Sequence, residues 1–131
     1  MTSPDAAHLR IARPTADMDA AVRFWAEGLG MELHGRQPGH HGTLEELAFL
    51  GWENGSWHLE LVRDAEIGPA PTDEDLIVLY LDGPVDEELI ARIERAGGTR
   101  VAARNSYWDE HGVMFSDPDG YLLVLSTRSW P

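Results

Sequence analysis

Two short stretches hold the side chains best able to do chemistry. In Trp57-His58-Leu59-Glu60-Leu61 a histidine and a carboxylate stand at i and i+2 within an apolar run. On a strand, that spacing puts both on one face. A carboxylate among apolar neighbours is costly to keep ionised without a partner. Glu60 is therefore a candidate proton acceptor or anchor for a cationic group. The plainer alternative pairs it with an arginine, such as Arg13 or Arg104. His58 is a ligand-binding candidate on the same face, with a histidine satisfied by a neighbour as its alternative. The second stretch is Asn105-Ser106-Tyr107-Trp108-Asp109, read as a polar loop. Tyr107 and Trp108 can wall a pocket and stack on a flat or cationic ligand, or one ring can plug an open sheet edge. Tyr80 joins them as a ligand-binding candidate. Gly39-His40-His41-Gly42 lacks the strand, glycine-rich loop and lysine order of a phosphate loop. Neither a Gly-x-Ser-x-Gly elbow nor a cysteine nucleophile is present.

Composition narrows the partners. The 131 residues suggest one domain with a core of useful size. Ten basic residues against 23 acidic ones give a net charge of −13. A surface that tracks nucleic-acid phosphates needs clustered Lys and Arg, so nucleic acid is not an expected partner. The acidity suits solubility, and equally the steering of a cationic ligand. Without cysteine there is no disulfide frame and no thiolate metal site. No apolar run reaches membrane-spanning length, and Met1–Ala7 shows no leader pattern. A cytoplasmic location, away from membranes, is expected.

The elements that must position these residues occur twice. His8–Arg13 reads as a strand. Thr15 or Asp17 then caps a helix whose buried stripe is Met18, Ala21, Val22, Trp25 and Leu29. Strand candidates Met31–Arg36, Leu47–Trp52 and Ser56–Arg63 follow, with Gln37–Thr43 as a loop. The second copy has a strand at Leu76–Leu81 and a helix opening at Gly83-Pro84 with Val85, Leu89, Ile93 and Ala96 on one face. Strands at Thr99–Ala103, Val113–Ser116 and Tyr121–Thr127 complete it. An offset of 67 aligns Leu9 with Leu76, Ile11 with Val78, Met18 with Val85, Val22 with Leu89 and Gly30 with Gly97. The fold class is α+β: two β-α-β-β-β modules, at about 8–63 and 75–128, joined by a linker at 64–74 within one domain. Two such sheets form a curved, mixed half-barrel cleft.

The closing segment is the most specific. Phe115-Ser116-Asp117-Pro118-Asp119-Gly120-Tyr121 reads as a type I turn with a glycine bulge between two strands. This hairpin, and Phe24-Trp25 followed by Leu29-Gly30-Met31, resemble the vicinal oxygen chelate superfamily of glyoxalase I, extradiol dioxygenases and bleomycin-binding proteins. The Tyr107-Trp108 pair resembles a little-characterised branch of it. The resemblance implies four metal-ligand positions on the cleft floor, which fall at Leu9, Glu60, Leu76 and Val124. Only Glu60 is a donor, and a divalent ion needs three or more converging ligands. Two routes to a site stay open: a register slip that brings in His8 for Leu9, or a cluster of His58 and Glu60 with His40, His41 or His111. No metal or cofactor is expected. Similarity to the bleomycin-resistance branch implies a metal-independent protein that sequesters an organic, cationic aromatic ligand. The alternative is a lyase or dioxygenase-like enzyme using Glu60.

The open sheets, with Trp52, Trp57 and Trp130, leave more apolar surface than one small domain covers, so a homodimer is expected. Trp130 should dock on its own chain or on a partner. Light scattering at micromolar concentration should return about twice the 14.6 kDa chain mass; a monomer would refute the expectation.

Overall fold

The structure, a computed structural model, describes residues 3–131. After a single 3-10 turn at Pro4–Ala6, the chain runs through β1 (Leu9–Pro14), α1 (Met18–Val22) continued by a π-helical stretch (Arg23–Gly28), β2 (Glu32–Pro38), β3 (Leu44–Gly51) and β4 (Trp57–Asp64). The second half repeats the order: β5 (Leu76–Tyr80), α2 (Glu87–Arg95), β6 (Thr99–Val101), α3 (Ser106–Glu110), β7 (Gly112–Ser116) and β8 (Leu122–Ser126). The strands form two open four-stranded sheets, ordered β1-β4-β3-β2 and β5-β8-β7-β6. In each, the first strand pairs in parallel with the last and the other pairings are antiparallel.

Local chemistry explains most boundaries. Asp17 caps α1 by accepting from the Ala20 amide. α2 starts later than Gly83-Pro84 suggests, because Asp86 is the cap and accepts from Glu88 N–H; Val85 precedes the helix. β2 extends to Pro38 and β3 begins at Leu44, so the loop between them is shorter than the glycines imply. Proline is tolerated there because it closes a strand. Tyr107 and Trp108 sit on the short helix α3 rather than in a loop; the Asn105 side chain accepts from Tyr107 N–H and starts it.

One face of each sheet packs on the helices. Ala48, Leu50, Leu59 and Leu61 of the first sheet join Ile77, Val113, Phe115, Leu123 and Leu125 of the second in a core shared with Ala21, Phe24, Trp25 and Ile93. The π-helical stretch lets the neighbours Phe24 and Trp25 both be buried, with their rings edge-on at 4.9 Å. The helices carry the main joint between halves. A Cβ on Gly28 would lie 3.0 Å from Ala96 Cβ and 3.3 Å from the Ile93 backbone, so a side chain there would press the two helices apart. Arg92 Nε donates to Gly28 O at 2.9 Å across the same joint. At its other end the Arg13 guanidinium lies over the Tyr121 ring, 4.6 Å from the centroid, and donates to Asp75 O. Trp130 stays 75% exposed beside Tyr80, so it is not docked into the core of its own chain.

The closing turn forms as its residues require. Asp117 Oδ1 accepts from Asp119 and Tyr121 N–H, both at 2.9 Å, and Gly120 takes φ 92°. Burial pushes the Asp117 carboxyl up to about 6, helped by the charge of Asp119 and opposed by those two amides and Arg13. A folded-state value above the unfolded one means the native protein binds the extra proton. This contribution to stability is therefore complete below the unfolded value and lost as pH rises towards 6. Asp117→Asn keeps the accepting oxygen and removes the charge. Relative to wild type it should gain about 1–3 kcal/mol between roughly pH 4 and pH 7, read from urea midpoints.

Candidate functional site

The site follows from alternation along β4. Leu59 and Leu61 are buried against the helices, at 0% and 2% exposure, so His58, Glu60 and Val62 face the other way. The parallel partner β1 sets Arg10 beside His58 and Ala12 beside Glu60. His8, Arg10 and Ala12 therefore share the open face, while Leu9 and Ile11 go with Leu59 to the helix side. This corrects the expectation of Leu9 on the cleft floor. β3 adds Phe49 opposite Glu60 and Gly51 opposite His58. In the second sheet, β5 and β8 place Leu76, Val78 and Tyr80 with Leu122, Val124 and Ser126 on the face opposite Ile77, Leu123 and Leu125. Leu76 and Val124 thus share the face of their half that points away from the helices, where Val124 is fully buried.

Glu60 is partnered within the chain. Arg10 Nη2 donates to Glu60 Oε2 in an ion pair between a half-exposed guanidinium and a buried carboxylate. The hydrogen bond and charge of Glu60 raise the Arg10 pKa above its ordinary value. The arginines suggested by the sequence are engaged elsewhere: Arg13 at Asp75 and Tyr121, Arg104 at 3.7 Å from Glu74. His58 is also satisfied by a neighbour. Its Nδ1 lies 2.6 Å from His8 Nε2, with the rings stacked at 4.9 Å and 23°. Phe49 meets His58 edge-on at 6.1 Å. Beside them opens a pocket of about 310 Å3 lined by His8, His34, Phe49, Trp52, Trp57 and His58. Trp52 and Trp57 close one side with their rings at 6.1 Å, and Trp52 Nε1 donates to Gly30 O.

The other candidates lie in the second half. Tyr107 packs edge-on to Trp108 at 5.1 Å and against His111 at 4.8 Å. Tyr80 leans on Trp130 at 5.5 Å. Among the described residues, no hydrogen bond or ring contact joins them to His58 or Glu60. Nor do three His, Cys, Asp or Glu side chains converge as a metal site there, so His40, His41 and His111 do not complete one with His58 and Glu60. The donor set does not fit the divalent ion of metal-dependent members of this fold: Glu60 is held by Arg10, and Leu76 and Val124 cannot coordinate. Sequence reasoning missed Arg10 and the His8–His58 bond. The available signal was that apolar Leu9 and Ile11 alternate with polar His8 and Arg10, as in a strand whose apolar side packs on a helix.

Paired β-α-β-β-β modules with open sheets define the vicinal oxygen chelate class, the superfamily of glyoxalases and bleomycin-resistance proteins. Within that class the chain belongs to the YycE-like family: the N-terminal domain model matches residues 9–62 and the C-terminal domain model residues 74–127. YycE of Bacillus subtilis is 32% identical over 127 residues, covering 95% of this chain and 90% of that one. Its crystal structure superposes with a TM-score of 0.80 at 30% identity, covering 96% and 93% of the two chains. TnmS3, an antibiotic binding protein from Streptomyces sp. CB03234, is 26% identical with a TM-score of 0.66, over 94% and 97%. A fosfomycin resistance protein of Mesorhizobium loti shares the fold at 12% identity and a TM-score of 0.67, over 98% and 94%.

Removing Arg10 would leave a buried carboxylate without its partner. Arg10→Met should cost about 1–3 kcal/mol in chemical denaturation, and adding Glu60→Gln should restore most of it. Equal, additive losses in the single and double variants would show that the two side chains do not depend on each other.

Proposed function

We propose that the protein is a metal-independent binding protein for a small organic molecule, held on the open face of the first sheet. The observation that carries this reading is the Arg10–Glu60 pair. The one carboxylate at a ligand position of this fold is met by a guanidinium of the same chain, which supplies positive charge without a coordination sphere. The pocket at the end of this face, where Phe49 and the edges of the core-packed Trp52 and Trp57 meet His8 and His58, suits a flat organic ligand better than an ion. Similarity to an antibiotic binding protein supports a binding role.

The ligand is proposed to be aromatic, with a cationic group that competes with Arg10 for Glu60. Tyr80, Tyr107 and Trp108 are proposed as a stacking wall supplied by the second half. A homodimer that lays the second open face of one copy over the first face of another would bring them there. The second reading is an enzyme, a lyase or dioxygenase-like catalyst working through Glu60. The His8–His58 hydrogen bond favours it, since a linked imidazole pair can move protons.

The test is elemental analysis of protein from metal-replete medium, with a thermal-shift screen of cationic aromatics against matched neutral analogues. Metal well below one equivalent per chain is expected, together with cationic hits that Glu60→Gln weakens by about ten- to 150-fold. Trp108→Ala should weaken the same hits. About one zinc, nickel, iron or manganese per chain, lost in Glu60→Gln, would overturn the metal-independent reading. Hits that bind both variants as tightly as wild type would overturn the assigned roles.

A further inference from the structure

The hydrogen bond between His8 Nε2 and His58 Nδ1 has a chemical consequence at the two nitrogens it leaves free. A neutral imidazole carries one N–H and one acceptor nitrogen. In the neutral pair one proton lies between the rings, and the other sits on an outer nitrogen. His8 Nδ1 and His58 Nε2 are then one donor and one acceptor: the ring that supplies the bridging proton has the outer acceptor, and the other ring has the outer donor. The pair can take up one further proton at its outer acceptor and spread the positive charge over two stacked rings.

Acidic and aromatic side chains surround the pair. Glu53 lies at the rim of the pocket, and His34 on β2 faces it with Glu32 at 3.4 Å from its ring. Further along β1 and β4, Arg10 and Glu60 balance each other. The walls beside the imidazoles are the rings of Phe49, Trp52 and Trp57. A pocket of about 310 Å3 is large enough for one substituted aromatic ring. The net charge of −13 repels a preformed anion, whereas a neutral hydroxyl approaches freely and ionises only inside.

We propose that this pocket is a subsite for an ionisable aromatic hydroxyl, with the ring against Phe49 and the tryptophans and the oxygen at the His8–His58 pair. On binding, the O–H bond breaks and an N–H bond forms at the outer acceptor nitrogen. The electron pair stays on oxygen, and the resulting aryloxide is held by the imidazolium N–H just formed. No other reactant is required. The inference rests on reading this face as a ligand site, and it names the chemistry of one end of that ligand.

The experiment uses 4-nitrophenol, whose ionised form is yellow, and 4-nitroanisole, which has no proton to give. At a pH where free 4-nitrophenol is mostly protonated, adding the full-length protein should raise the yellow absorbance saturably. The anisole should bind at least about tenfold more weakly by competition. His8→Asn and His58→Gln should abolish the absorbance rise, and Phe49→Ala should weaken both probes. The comparison of the two probes on wild type does not depend on any variant folding. Equal binding of both probes without a yellow band would overturn the proton transfer and leave the binding reading standing. A yellow band that persists in both histidine variants, or no binding of either probe, would overturn the subsite itself; the binding reading then stands or falls on the cation screen alone.

Discussion

The Arg10–Glu60 ion pair and the His8–His58 bond both depend on the parallel pairing of β1 with β4. A strand side chain has only two directions available. Burying Leu59 and Leu61 against the helices commits His58 and Glu60 to the opposite face, and the register of β1 then commits His8 and Arg10 to join them. A slip of one residue would send both polar partners into the helix-packed core and expose a buried carboxylate without its counter-charge. The ion pair and the histidine bond are thus two consequences of one register. That register is held in turn by the apolar face beneath it.

The second constraint is that helices, rather than strands, join the halves. Gly28 lets the π-helical stretch approach Ala96 and Ile93, and Arg92 fastens the contact at Gly28 O. Among the described residues, no strand pairing crosses from one sheet to the other. Each sheet therefore keeps its own open face and its own chemistry. The first gathers imidazoles, a guanidinium and a carboxylate. The second is lined by Leu76, Val78, Leu122 and Val124, with aromatic rings on α3 and at the end of β5.

Local signals in the sequence were reliable because local geometry decided them. Asp117-Pro118-Asp119-Gly120 dictates its own turn, Asp17 its own cap, and the doubled order of elements is plain from punctuation by glycine and proline. What could not be read locally was the face. The repeat at an offset of 67 aligns Leu9 with Leu76, yet Leu9 shares the strand face of Ile11 and Leu59 while Leu76 takes the opposite one; the residues that match in packing on the core are Ile11 with Leu79 and Trp25 with Ile93, at an offset of 68. The glycines that end the helices, Gly30 and Gly97, keep the shorter offset. A single residue of drift between strand and helix end is invisible in an alignment of apolar letters and inverts a strand. Arg10 was overlooked as Glu60's partner for this reason. Helix α3 escaped because five residues with one cap carry no helical period.

The parallel closure also sets how each half must assemble. Leu9 meets Trp57 and Leu76 meets Leu122, so the first strand of each half is placed only after almost the whole half has been made. The antiparallel β2-β3-β4 and β6-β7-β8 ladders pair strands near one another in sequence, whereas β1 and β5 must each close a loop of nearly fifty residues against loop entropy. Loop entropy therefore favours assembly from the hairpins outward, with the polar face of the first half completed when β1 docks. Until β1 docks, β4 is an unpaired edge bearing a histidine and a carboxylate. Polar side chains on an exposed strand edge disfavour strand-to-strand aggregation. The same two side chains that take Arg10 and His8 as partners in the finished fold are those that edge would present before β1 arrives.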